Sequence, residues 1–255
     1  MIKHRHFISL MFLLVALALV IPEDANAQRR SGRIFRFQNI LEHDLRPYHF
    51  GFTVGVNTLD FALWPEKYLN QIHGFTYVLP TQDYGFHVGI VSNLKLHQYF
   101  DLRFIPTFSF GDRYIDFYED DYDQGYKYRQ ELSPYFLDFP LHIKYKSVRM
   151  TNTRAYVIGG VKYSYDLNSF EGDIQDPLFL RTSRNDFHYE IGVGFDHYFY
   201  YFKFSTEIKA SFGFKNIKVD GVPGITEQGY TAESRHWNSI DRLNSRSIMI
   251  SFLFE

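Results

Sequence analysis

The chain reads as an all-β protein, an eight-stranded antiparallel transmembrane β-barrel with a polar, filled interior. Three observations predict this. Apolar and polar residues alternate with a two-residue beat through most of the sequence, as side chains of a strand do when they point to opposite faces. The aromatic share is 19%, with Phe 27 and Tyr 20, yet the mean hydropathy is slightly negative. No apolar run after residue 27 approaches the ~20 residues of a spanning helix. Many aromatics without such a run are expected of strands that are apolar on one face only. A soluble sandwich or lipocalin-like barrel would alternate too, so further signals are needed.

The N-terminus supplies one. Lys3, His4, Arg5 and His6 precede the apolar stretch Phe7 to Ile21, and Ala25-Asn26-Ala27 follows. A basic segment, a short apolar segment and a small-x-small site make a secretory signal peptide, so residues 1–27 are expected to be removed. Residue 28 is Gln and the chain has no cysteine, which excludes lipid attachment there, disulfides and a Cys-type zinc site. Net charge is −2, and cleavage removes Lys3, Arg5, Glu23 and Asp24 together, so the mature chain is also mildly acidic. No nucleic-acid partner is expected. Residues 28–47 are charged and aperiodic, a periplasmic lead-in, and the barrel is expected over 48–255.

Strand by strand, the first run puts Phe50, Phe52, Val54 and Val56 outward against Thr53, Gly55 and Asn57. The second has Phe86, Val88 and Ile90 against His87, and the third Leu102, Phe104, Phe108 and Phe110 against Asp101, Arg103, Thr107 and Ser109. In the fourth, Tyr135 to Tyr145 at odd positions oppose Asp138, Pro140, His142, Lys144 and Lys146. The fifth sets Val157, Val161, Tyr163 and Tyr165 against Ile158, Gly160, Lys162 and Ser164. The sixth sets Phe187 to Phe195 at odd positions against Asp186, His188, Glu190, Gly192, Gly194 and Asp196. The seventh opposes Phe204, Ile208, Phe212 and Phe214 to Lys203, Ser205, Glu207, Lys209 and Ser211. The eighth closes with Ile248, Ile250, Phe252 and Phe254. Short connections near 94–98, 147–153 and 197–200 alternate with long polar ones at 64–83, 119–133, 168–184 and 217–246. That is the topology of bacterial outer-membrane barrels, with both termini on the periplasmic side.

Eight strands enclose a bore that side chains just fill. Arg103, Asp138, Lys144, Lys162, Glu190, Glu207 and Lys209 are therefore expected to form an interior ion-pair network. With the turn after the fourth strand centred on Met150, Asp138 would face Lys162. A filled bore conducts no folded protein, so a role in export would be assembly, docking or gating.

No catalytic residue, metal or cofactor is expected. A hydrolase would need a nucleophile with a positioned histidine, and His188 and Ser211 are better explained as interior filling. His87, His142 and His188 come from three strands, a weak pattern for a metal. The acidic run Glu119 to Gly125 departs from the calcium-loop pattern because Gln124 intervenes. Arg29, Arg30, Arg33 and Arg36 fit either a solvated tether or contact with anionic headgroups.

Four segments carry a resemblance: His49 to Asn57 with Asp60-Phe61, Asp101 to Ser109, Leu137 to Ser147, and Ala155 to Asp166. In this order they resemble the PorT/SprT proteins of Bacteroidota, outer-membrane components of type IX secretion and gliding motility. The resemblance spans roughly residues 38 to 255. Its Asp-Phe-Pro-Leu stretch recurs in unrelated barrels, whereas Tyr156-Val-Ile-Gly-Gly-Val-Lys-Tyr163 is more particular. It implies a non-enzymatic barrel needed for cargo export, with other type IX secretion components and outer-membrane lipid as partners, no small-molecule substrate, and no functional residue to carry over. The competing readings are a general OmpA/OmpX-like barrel with adhesive or ligand-binding outer loops, and a membrane-embedded hydrolase.

Overall fold

The computed structural model describes residues 39–40, 46–67, 75–119, 126–132, 134–168, 182–219, 225–226, 229–230 and 239–255. The signal segment 1–27, Arg29, Arg30, Arg33 and Arg36 of the lead-in, and the acidic run at 120–125 lie outside these residues. The strands are β1 (Tyr48–Pro65), β2 (Phe75–Lys95), β3 (Phe100–Phe104), β4 (Thr107–Phe110), β5 (Arg113–Glu119), β6 (Tyr126–Leu132) and β7 (Tyr135–Lys146). They continue with β8 (Thr153–Asp166), β9 (Asn185–Tyr198), β10 (Lys203–Gly213), β11 (Ile225–Thr226), β12 (Gly229–Tyr230) and β13 (Ile240–Phe254).

Antiparallel pairing runs from β1 through β2, β3 with β4, β7, β8, β9, β10 and β13, and β13 pairs back onto β1. β3 and β4 are one stave, since they hold a single register against both β2 and β7. The gap falls at Ile105-Pro106, where proline has no N–H to give to a ladder; Pro106 still accepts from Ile90 N at 3.0 Å. The result is a closed ring of eight staves, which leaves the spanning part without a free edge. β11 and β12 pair only with each other.

Side chains sort as the alternation requires. Phe50 (70% exposed), Ile90 (65%), Val161 (58%) and Ile191 (53%) point out, while Asn57, Arg103, His142, Lys144, Glu190 and Glu207 are buried. Aromatic pairs ring both ends of this outward belt. Phe52 stacks with Phe254 and Phe204 with Phe252 near the termini, and Phe86–Phe110, Tyr163–Phe187 and Tyr189–Phe212 pair at the other end.

The end carrying the termini, here the terminal end, has short turns. Between β7 and β8 the Met150↔Thr153 bridge encloses Thr151 at φ 58°, a left-handed conformation uncommon for a β-branched residue. Asn39 docks on this turn: its N–H donates to Asn152 Oδ1 at 2.9 Å, and Arg149 Nη2 donates to Asn39 O at 2.5 Å.

The opposite, distal end differs from the expectation of long polar loops. β1 runs on to Pro65, β2 begins at Phe75, β6 occupies 126–132 and β13 begins at Ile240, so strand replaces much of the expected loop. The β2 register shifts by one residue between Phe86↔Phe110 and Gln82↔Arg113, a β-bulge that bends the strand. Beyond it β2, β5 and β6 form a three-stranded extension. Here the sorting inverts. Phe61, Phe75, Val78, Ile115, Phe117, Ile217, Ile240 and Leu243 pack inward as an apolar core, with Tyr128 and Leu132 against it. The belt below the bulge is apolar outside, and the extension above it is apolar inside.

Candidate functional site: the filled bore

The bore is built from every second residue of the eight staves, and it is ionic from the terminal end to the bulge. Nearest the termini, Lys146 Nζ lies 2.6 Å from Asp101 Oδ1 and Lys203 pairs with Glu255. Lys144 Nζ donates to both Asp196 oxygens at 2.8 and 2.7 Å, and Ser205 Oγ donates to Asp196 Oδ1 at 2.7 Å. Arg103 Nη1 donates to Glu207 Oε2 at 2.9 Å, with Glu255 Oε1 3.6 Å from Nη2. Tyr156 organises this layer. Its hydroxyl donates to Glu207 Oε2 at 2.8 Å, and its ring lies 3.6 Å from Lys144 Nζ and 5.4 Å from the Arg103 guanidinium carbon. Both contacts are cation–π geometry in a desolvated site.

Midway, Lys162 Nζ sits 3.2 Å from Glu190 Oε1 and 3.8 Å from Asp138 Oδ2. Ser109 and Ser164 donate to Asp138 at 3.0 and 2.5 Å. His142 Nε2 is 2.6 Å from Glu190 Oε2, and Lys209 Nζ is 3.5 Å from Glu207 Oε1. Toward the bulge, His188 Nε2 is 3.1 Å from Asp186 Oδ2. Arg113 lies between the Phe61 and Phe136 rings at 4.1 and 5.0 Å, and its Nη1 reaches Ser245 Oγ at 3.3 Å.

Setting the histidines with Asp186 aside, the buried pairs join six cations (Arg103, Lys144, Lys146, Lys162, Lys203, Lys209) to six anions (Asp101, Asp138, Glu190, Asp196, Glu207, Glu255). Within these pairs the charges balance, as burial of so many charges demands. Backbone approach is close as well. A Cβ on Gly194 would fall 2.5 Å from the Tyr156 ring, and one on Gly55 would fall 2.6 Å from the His87 ring, so glycine is what seats each ring against the opposite strand. Two cavities among the described residues of the bore hold about 10 Å³ each. One is lined by Thr53, His87, Thr107, Asp138 and Lys162, the other by Asn93, Lys95, Asp101, Lys146 and Lys203. Each has room for about one water.

Of the residues expected in the network, Arg103, Glu207 and Lys209 make one linked group, and Asp138, Lys162 and Glu190 another. Lys144 joins Asp196 instead of a member of the expected set. The expected register needs correction: Asp138 pairs with Ser164, and Lys162 with Pro140. The turn is centred near Thr151, one residue later than Met150, which slides the pairing by two. Lys162 then reaches Asp138 diagonally. Tyr156 and Glu255 were missed, although the parity of Ile158 and of Ser251 would have placed both inside.

The three histidines have separate partners. His87 Nε2 is 2.9 Å from Ser251 Oγ, His142 meets Glu190 and His188 meets Asp186, so they do not converge. No cluster suited to a metal occurs among the described residues. Ser211 pairs in register with Glu190, and His188 with Gly213, which keeps the two on different cross-strand pairs.

Residues 26–219 match the family model described as an outer membrane protein beta-barrel domain. Among solved structures, OprG from Pseudomonas aeruginosa is similar at 13% identity and TM-score 0.43, over 80% of this chain and 94% of that one. Neisserial surface protein A follows at 9% identity and TM-score 0.38, covering 82% and 98%. The N-terminal β-barrel domain of Pseudomonas aeruginosa OprF gives 11% identity and TM-score 0.30, over 79% and 96%. Comparison with curated proteins found no match.

Proposed function

Because the chain belongs to the outer membrane protein beta-barrel domain family, and so resides in the outer membrane against its lipid, we propose that it acts there as a non-enzymatic, non-conducting barrel: an assembly or docking component of type IX protein secretion. The observation that carries the mechanical half of this reading is the balanced plug. With six buried cations paired to six anions and cavities of about 10 Å³, the bore offers no path to a polypeptide. The secretion half rests on the likeness of segments 49–57, 101–109, 137–147 and 155–166 to PorT/SprT proteins. In this reading residues 1–27 are a cleaved signal peptide, 28–47 a periplasmic lead-in and 48–255 the barrel. Short turns and both termini then face the periplasm, where partner proteins of the machinery would dock, and the extension faces outward.

The second reading, a general OmpA/OmpX-like barrel that binds through its outer end, is favoured by the extension. Strands held by their own apolar core present a fixed surface to the exterior. Deleting the gene and measuring export of cargo, with complementation from the chromosome, separates the two. Lost export restored by the intact gene supports the secretion role, and normal export in the deletion strain overturns it.

A further inference from the structure

We propose that the outward face of the distal extension binds the oligosaccharide headgroup of an outer-leaflet glycolipid, through a tyrosine platform set beside an immobilised guanidinium. The inference rests on the orientation given above, with the extension outside the cell.

Position comes first. On β2 the outward belt runs from Leu94 to Tyr84. Ten residues at about 3.3 Å each, tilted about 40°, give about 25 Å of height, the thickness of the apolar band of such barrels. Tyr84 is 81% exposed and stands at its upper edge. Outward residues beyond the edge should be polar, because water surrounds them. Yet Tyr77 is 44% and Leu79 48% exposed, and by the same arithmetic Tyr77 stands up to about 18 Å above Tyr84 if the strand keeps its tilt past the bulge. A phospholipid headgroup layer accounts for only about 5–8 Å on each side of the hydrocarbon. Lipid tails and simple headgroups both fall short of this patch, and a headgroup extended by several sugars reaches it.

The chemistry of the patch suits such a headgroup. Tyr77 and Tyr118 are register partners whose rings stack at 4.2 Å with 28° between planes. Together they form a flat aromatic surface for the C–H faces of a sugar ring. One pair further along, Leu79↔Asp116↔Arg129 carries the polar part. Arg129 Nε and Nη2 donate to Asp116 Oδ1 and Oδ2 at 2.7 and 3.1 Å, and Thr81 Oγ1 donates to Asp116 Oδ2 at 2.8 Å. Asp116 is thereby closed off, whereas the Arg129 side chain stays 46% exposed and lies over the Tyr114 ring at 4.9 Å. The guanidinium is fixed in orientation and open to solvent, ready to meet sugar hydroxyls or the acidic groups that decorate glycolipid cores. These groups lie on the face opposite to that of the apolar core's members, so packing of that core does not explain them. The patch also continues the surface that already contacts lipid, so its occupant is the upper part of the same molecules.

The test uses the full chain, folded in detergent and titrated with lipopolysaccharide that retains its core sugars and, separately, with lipid A that lacks them. Thermal unfolding and native mass spectrometry give the affinities. The core-bearing lipid is expected to bind at least about tenfold tighter than lipid A. Tyr77→Ala with Tyr118→Ala should abolish that preference while leaving lipid A binding unchanged, and Arg129→Gln should weaken it severalfold. Equal affinity for the two lipids, or a preference that survives the double tyrosine variant, overturns the inference. Orientation is read independently by labelling an epitope inserted after residue 122 on intact cells. An epitope hidden until the outer membrane is broken also overturns the inference, and this result shows that the orientation, not the sugar chemistry, was at fault.

Discussion

Replacing Asp196 with asparagine keeps the shape of the bore and removes one of its charges. Lys144 is fully buried, and Asp196 holds its ammonium through two hydrogen bonds at 2.8 and 2.7 Å. At an effective dielectric of about 20, a pair 2.7 Å apart attracts by about 6 kcal/mol. Part of that is offset because the carboxylate no longer has to be desolvated, which leaves a net loss of about 3–5 kcal/mol, the range seen when one partner of a buried pair is removed. Arg103 and Lys203 stand in the same layer, so the variant would leave these cations with one fewer carboxylate to face. The assay is urea unfolding of the barrel in lipid vesicles, followed by intrinsic fluorescence, with the midpoint compared at constant slope. The Lys144→Met, Asp196→Leu double variant should recover most of the loss, because two apolar side chains restore neutrality without burying charge. If Asp196→Asn costs no more than Lys215→Ala at the exposed distal rim, the ionic plug does not hold the fold together.

Three more outcomes are expected. Ile191→Arg, mid-strand on the lipid face, should cost about 2–4 kcal/mol and lower the yield of heat-modifiable barrel on gels; unimpaired assembly would mean that the face is misassigned. Gly194→Val should slow assembly by forcing the Tyr156 ring off its seat, at about 1–3 kcal/mol, and the same gel shift measures it. Phe117→Ala, which removes a ring packed at a tilt against Phe75 with centroids 5.4 Å apart, should cost about 3–5 kcal/mol. That loss should stay local, appearing as protease cutting between β5 and β6 while the barrel fragment remains intact.

Much of the barrel was legible in the sequence because bilayer and bore impose opposite chemistries on alternate residues. Runs such as Phe187 to Asp196 and Lys203 to Phe214 show that alternation without interruption, and their faces agree with the structure. The extension was hidden for the same reason. Past the bulge, water lies outside and the apolar core inside, so Leu59, Phe61, Phe75 and Phe117 carry a parity opposite to that of the strands they continue, and the stretch looks like irregular loop. Register was harder to read than face. It depends on turn geometry, and one residue of difference at Thr151 moved the partner of Asp138 from Lys162 to Ser164. Interior partners were legible as far as parity was followed. Asp196 was placed inward, but nothing in the sequence says that Lys144 reaches it across two strands, because side-chain length and the curvature of the ring decide that contact.

The change of side-chain sorting at the β2 bulge also works as a depth gauge. Sinking the barrel by two residues would drag Gln82 and the Asp60–Arg246 pair into hydrocarbon, and raising it by two would lift Tyr84 and Phe86 out of it into water. Vertical play in the bilayer is thus confined to a few ångströms, and everything mounted on the rigid staves above is presented at a constant height over the membrane plane.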